Sequence, residues 1–293
     1  MSVAADHIQR FMFDNHAVRG QIVRLSHSFQ QIMEQHHYPK EIHRLLGESL
    51  LAVTLLHGMS KTPGRLTLQF QGDGDLQLLS VRCTHDFTIR GVAKWTGILP
   101  STQKLSDALG QGHLVITFEP EHQGQRYQSI IAAESGSIAE TLESYFAQSE
   151  QLPTRLIFAI DDSSAVGMML QVLPDNQEQR DLSWDHVVAL ANTLKPEELL
   201  TTDNATLLHR LYHQEDVRVF EESQIRFGCG CSVEKMENAI ALSDREEIES
   251  LLDENAYVEV ICDFCGNQYR FDEEEVDDIL GRGESGFGSN AIH

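Results

Sequence analysis

Four cysteines in the last quarter of the chain constrain its fold and chemistry more than any other feature. Cys229 and Cys231 stand one residue apart in "FGCGCS", and Cys262 and Cys265 stand two apart in "CDFCGN", with thirty residues between the pairs. Zinc favours four tetrahedral ligands, and four-thiolate sites are closed and structural. The second pair reads as a tight turn presenting two thiolates, with Gly266 relieving the backbone behind it. Gly228 and Gly230 are expected to give the first pair similar freedom to take positive φ. One zinc ion per chain, held by Cys229, Cys231, Cys262 and Cys265, is the reading this spacing supports.

The same residues permit a second state. Zinc-bound sulfurs are thiolates, and thiolates are what oxidants attack. Each pair is close enough in sequence to close a short disulfide, and a Cys-x-Cys ring is small and readily reduced again. The module around them has about sixty residues and few aromatics, so its own core is small. Metal binding would supply most of its folding free energy, on the order of 10–16 kcal/mol in comparable sites. A purely structural zinc ribbon and a redox switch therefore both fit the spacing. The fifth cysteine, Cys83, lies in the strand-like run "LLSVRCTHDF" and reads as a small buried hydrophobe.

Organisation along the 293 residues points to an α+β protein: an N-terminal antiparallel-sheet domain with helices, a helical linker, and a small four-cysteine zinc domain. Residues 1–174 form the first part. "SHSFQQIMEQHH" and "KEIHRLLGESLLAVTLLHGM" carry helical periodicity, with Ile42, Leu45, Leu46, Leu50 and Val53 on one face. "RLTLQF", "LQLLSVRC" and "FTIRGVAKW" read as an antiparallel meander turned at "GDGD". "HLVITFEP" and "RYQSIIAAE" pair around Gly124, Ser137 and Glu140 form a capping box, and "RLIFAI" and "GMMLQVLP" close the domain. Pro174 marks its end. Residues 175–220 read as a linker of short helices, "SWDHVVALANTL", "KPEELL" and "DNATLLHRLYH". They are rich in apolar side chains, yet none is long enough to persist alone, so they must pack on something. Residues 221–282 form the cysteine module, and residues 283–293 read as a disordered tail.

Charge excludes some partners. Lys plus Arg number 22 and Asp plus Glu 45, for a net charge of −23. Residues 201–293 hold 7 basic and 22 acidic side chains, a net −15. Such a surface repels phosphate backbones, so no nucleic-acid partner is expected. No basic stretch followed by an apolar run opens the sequence, and no run of ~18 apolar residues occurs. The expectation is a cytoplasmic protein without a membrane partner, where clustered thiols read as metal-binding or redox-active.

Other motifs are set aside. The histidines, three of them in "EQHHYPKEIH", read as surface residues because no HExxH or deaminase signature accompanies them. "GDGDL" lacks the further ligands of a calcium loop. Neither a GxSxG elbow nor a nucleotide-binding glycine loop is present. No catalytic residue is assigned, and the expectation is a binding protein, not an enzyme.

The stretches "FGCGCSVEKMENAI" and "EVICDFCGNQYRF", together with "QFQGDGDLQLLSV" and "ESYFAQSEQLPTRL", resemble the 33 kDa chaperonin (heat shock protein 33) family over nearly the whole chain. All four cysteine positions agree with the family pattern. The resemblance implies an ATP-independent holdase, monomeric, zinc-bound and inactive when reduced. Peroxide with unfolding stress, or hypochlorous acid, would form disulfides Cys229–Cys231 and Cys262–Cys265, release zinc and unfold the linker. The oxidised homodimer would then hold unfolding client proteins during oxidative stress. A zinc-ribbon adaptor with a purely structural site, and a thiol oxidoreductase using "CDFC", are the competing readings.

Overall fold

The computed structural model describes residues 6–99, 104–122, 124–134, 136–173 and 180–286. The chain divides into two compact units between Gly228 and Cys229.

The first unit opens with strands β1 (His7–Phe13) and β2 (Val18–Leu25) and helices α1 (His27–Glu34) and α2 (Lys40–Gly58). Strands β3 (Gly64–Gln71), β4 (Leu76–Thr84) and β5 (Thr88–Trp95) follow, then α3 (Leu105–Leu109), β6 (His113–Pro120) and β7 (Tyr127–Ala132). Helix α4 (Ile138–Tyr145) runs into one π-helical turn and leads to β8 (Thr154–Ile160) and β9 (Ala165–Val172). Three helices, α5 (Arg180–Ala191), α6 (Pro196–Thr201) and α7 (Asn204–Tyr212), precede β10 (Val217–Gln224) and β11 (Arg226–Phe227). The second unit holds α8 (Val233–Ala241), α9 (Arg245–Asn255), the pair β12 (Tyr257–Ile261) and β13 (Gln268–Asp272), and α10 (Glu273–Gly286).

Two sheets organise the first unit. One has the order β10-β1-β2-β9-β8 and is antiparallel throughout; the other has the order β11-β5-β4-β3-β6-β7, with β11 alone pairing in parallel. The meander and the β6–β7 pair stand where the alternation placed them. Ser137 caps α4 by accepting the Glu140 N–H at 3.1 Å. Helix α2 departs from a one-faced pattern. Besides Ile42, Leu45, Leu46, Leu50 and Val53, it buries Leu51, Ala52 and Leu55, because it packs on strands of both sheets. Its buried hydroxyls are satisfied within the helix, Ser49 donating to the Leu45 carbonyl and Thr54 to that of Leu50.

The first sheet is covered on both faces. One face puts Ile8, Val23, Leu25 and Met169 into the core shared with α2. The other puts Phe11, Phe13, Ile22, Met168 and Leu170 into a second core with Val187, Ala191, Leu199, Leu207, Leu208, Leu211 and Tyr212 from α5, α6 and α7. Strand β9 is buried along its whole length, which is why it reads as a continuous apolar run instead of an alternation. The helical linker segment of the sequence is thus docked on a sheet face, where its apolar residues find the partner they required.

Three features differ from expectation. Strands β1, β2, β10 and β11 and helix α3 have no counterpart in the sequence-based reading. Helix α10 continues to Gly286, past the residue 282 at which a tail was expected; residues 287–293, like Pro174 and residues 175–179, lie outside the described residues. His57, one of the histidines read as surface, is buried.

Candidate metal and redox centre

All four cysteines of the spacing motif come together within the second unit. Strands β12 and β13 pair antiparallel with Ile261 opposite Gln268, and the six residues between them form the turn that carries Cys262 and Cys265. The Cys262 N–H donates to the Asn267 carbonyl at 2.9 Å, and the Cys262 carbonyl accepts from Cys265 at 3.3 Å and Gly266 at 2.8 Å. Gly266 takes φ +67°, so the glycine behind the second cysteine does relieve the backbone as expected. The expectation for Gly228 and Gly230 is corrected: among the described glycines only Gly97, Gly110 and Gly266 have positive φ. Gly228 is needed for closeness instead, since a Cβ there would lie 2.4 Å from the Thr88 methyl. The first pair precedes α8, whose N-terminus is capped by Ser232 accepting from the Lys235 N–H. The Lys235 ammonium donates to the Gly230 carbonyl between the two cysteines.

The sulfur geometry fits a thiolate-bound ion. Cys229 Sγ lies 3.5 Å from Cys262 Sγ, and Cys231 Sγ lies 3.5 Å from Cys265 Sγ. All four sulfurs lie within 4.8 Å of one another. A tetrahedral zinc with Zn–S bonds of about 2.3 Å requires sulfurs roughly 3.8 Å apart, so the observed set brackets that edge. All four are free thiols, with Cys262 buried and the other three half-buried.

Electrostatics distinguishes the thiols. The Tyr269 hydroxyl donates to Cys231 Sγ at 3.1 Å, and the Asn267 amide approaches it at 3.9 Å. The Tyr269 bond is the main cause that brings the Cys231 thiol down to about 7, and the same bond pushes the Tyr269 hydroxyl up to about 12. Burial raises Cys229 and Cys265. Without a metal, Cys231 is therefore more readily ionised at neutral pH than Cys229 or Cys265, and so more reactive toward oxidants than either. Tyr269 escaped the sequence-based reading because nothing in "GNQYRF" marks which side of a strand faces the sulfurs. Cys83 lies apart in β4, fully enclosed, and burial raises its thiol pKa strongly. No helix among the described residues is long and apolar enough to cross a membrane.

Comparison with known proteins agrees with this architecture. The profile of the Hsp33 protein family matches residues 6–272. The chain is 43% identical over 278 residues to the 33 kDa chaperonin of Methylobacillus flagellatus, covering 94% of each. It is 41% identical over 275 residues to that of Photobacterium profundum, covering 92% of this chain and 94% of the relative. The crystal structure of the 33 kDa chaperonin (heat shock protein 33 homolog) from Thermotoga maritima superposes with a TM-score of 0.81 at 27% identity, over 95% of this chain and 99% of that one. With a profile match over most of its length, near-full-length relatives above 40% identity, and a shared fold that ends in a four-thiol cluster, the chain belongs to the Hsp33 family.

Proposed function

We propose that this chain is a redox-gated, ATP-independent holdase whose gate is the cluster of Cys229, Cys231, Cys262 and Cys265. The observation that carries the reading is the convergence of four thiols within 4.8 Å in a unit with a very small apolar core. When bound, zinc would hold all four sulfurs as thiolates and supply the cross-link that so small a core lacks. In the oxidised form each disulfide joins two of these sulfurs. Two thiolates give up two electrons to one peroxide, whose O–O bond breaks to leave two hydroxides. Pairing within each motif, Cys229–Cys231 and Cys262–Cys265, is proposed on the family resemblance. No thiolate is then left to hold an ion, and the module loses its fold.

The second half of the gate is the docked segment α5–α7. Its helices have 12, 6 and 9 residues, too short to persist unaided. Their hold is the apolar face of the first sheet, and β10 and β11 lead directly from them to Cys229. Release of the segment would uncover Phe11, Phe13, Ile22, Met168 and Leu170, a contiguous apolar surface suited to unfolding client proteins. Oxidised chains would associate as homodimers through apolar surface of the same kind, and reduced chains would remain monomeric. The surplus of acidic side chains would keep the open form soluble in the cytoplasm.

The test is light scattering of a heat-unfolded client without nucleotide, with reduced zinc-loaded protein against protein treated with peroxide at mild heat. Suppression of aggregation only after oxidation, reversed by reductant, is the expected result. Equal behaviour of both forms would sink the gate and leave a structural zinc module. Peptide mapping of the oxidised protein then tests the pairing, since Cys229–Cys262 and Cys231–Cys265 are the alternatives that the reduced geometry brings to 3.5 Å.

A further inference from the structure

The first unit contains a second convergence of metal-ligating groups, drawn from three segments far apart in sequence. His16 lies in the turn between β1 and β2, His186 on α5, and Glu215 in the turn between α7 and β10. His16 Nε2 is 2.7 Å from Glu215 Oε2, and His186 Nε2 is 2.8 Å from Glu215 Oε1. One ligand atom from each of the three lies within 4.8 Å of the others. The Asn15 amide donates to Glu215 Oε2 at 2.8 Å and fixes the carboxylate plane. Glu215 and His16 are largely enclosed, whereas the His186 side chain is 49% exposed and leaves an open approach.

We infer that His16, His186 and Glu215 form a binding site for one divalent transition-metal ion of the zinc class, which staples the α5–α7 segment to the first sheet. Two imidazoles and one carboxylate are borderline donors suited to such an ion, and three protein ligands with an open position is a familiar zinc arrangement. The carboxylate is already ionised: hydrogen bonding, first from His186, holds Glu215 down to about 2. The present N···O distances are those of hydrogen bonds. An ion about 2.0–2.2 Å from each ligand needs N and O roughly 3.3 Å apart, a widening that the exposed His186 ring supplies by a small rotation.

The outer shell sets the strength. His16 Nδ1 is enclosed and has no hydrogen-bond partner. Coordination through Nε2 moves the ring proton to Nδ1, where no acceptor waits. A missing outer partner costs about 10–100-fold in affinity. The site therefore binds its ion more weakly than the four-thiolate centre and exchanges it readily. Its ligands tie the docked segment at two points, His186 within α5 and Glu215 just after α7, and His16 belongs to the turn of the β1–β2 hairpin. An ion bound to the docked form alone stabilises that form in proportion to its free concentration. The site would thus raise the threshold for undocking when free zinc is abundant.

Cobalt titration of the reduced protein, already loaded with one zinc at the cysteines, tests this. One further equivalent of cobalt is expected, with visible d–d bands and no thiolate charge-transfer band. His186→Ala and Glu215→Gln should each weaken it at least tenfold. His209→Gln should leave it unchanged; His209 and His213 lie one turn apart on exposed helix surface and are the competing pair. Added zinc should also slow amide exchange of α5–α7 in the unsubstituted protein and not in His186→Ala. Circular dichroism checks that each variant is folded, and Glu215→Gln keeps the shape of the site should His186→Ala fail. The inference is overturned if no second equivalent binds, if binding survives both variants, if it depends on His209, or if the cobalt spectrum is that of thiolate ligation. The site uses no cysteine, so this outcome is independent of the redox reading.

Discussion

Residues 6–228 bury apolar side chains on both faces of a five-stranded sheet and around a helix packed on two sheets, whereas residues 229–286 bury a core of six: Ile240, Ile248, Val258, Phe271, Val276 and Ile279. The first body is stabilised by area removed from water. The second has little such area and, on the proposed reading, depends on what its four sulfurs hold. The comparison teaches where a chemical signal is able to act. An oxidant cannot reach into a packed sheet, but on the proposed reading it would remove the main support of a small module by pairing its four thiolates.

Chelation should separate the two bodies most sharply. Removing the metal should cost the second unit on the order of 10–16 kcal/mol of metal-derived stability, and Cys265→Ser, which takes away one of four ligands, should cost a part of it. Hydrogen exchange should then show residues 229–286 unprotected while β3–β6 stay protected; equal loss in both bodies would break the comparison. Within the first unit, Leu50→Ala in α2 should cost about 2–5 kcal/mol and lower the global melting temperature without changing zinc affinity. Leu208→Ala, on the docked segment, should cost about 2–3 kcal/mol, seen as faster exchange of α5–α7 and an easier oxidative onset. If its effect were instead global, the segment would not be a separate layer of stability.

Two smaller effects depend on protonation. Burial holds the His57 imidazole down to about 4. The folded state therefore binds this proton less readily than the unfolded one, and its contribution is complete above pH 6.5 and is lost as pH falls from there toward 4. His57→Asn should flatten the denaturation profile of the first unit in that window. Tyr269→Phe should shift the alkylation midpoint of Cys231 in metal-free protein upward from about 7, because the donor that stabilises its thiolate is gone. An unmoved midpoint would assign the low value to the neighbouring sulfurs.

Much of this was legible in the sequence, for physical reasons that differ by element. The cysteine pairs declare themselves because a metal demands fixed ligand types at short spacing. The meander is legible because each strand has one buried face and so alternates. Strand β10 is not: "VRVFEESQ" is exposed along nearly all its length and is held by its ladder to β1, not by its side chains. Strand β1 sends Ile8 into one core and Phe11 and Phe13 into the other, so it is apolar on both faces, and the bulge opposite Gln9–Phe11 puts its extra residue in β10. The cluster of His16, His186 and Glu215 has no spacing at all, since three distant turns of chain build it.

The strand order of the first sheet bears on how the protein is made. Its hairpin β1–β2 finds its inner neighbour only in β9, from Ala165 to Val172, and its outer one only in β10, where His7 meets Gln224. Translation at about 5–20 residues per second puts roughly seven to thirty seconds between the emergence of Leu25 and that of β9. Strands β3 to β7 follow one another in the chain and can assemble during that interval. Phe11, Phe13 and Ile22 wait longer still, because the helices α5 to α7 that cover them follow β9 in the chain. A member of a chaperone family therefore begins its own life as a nascent chain with an open apolar ribbon, the kind of surface that needs shelter at the ribosome.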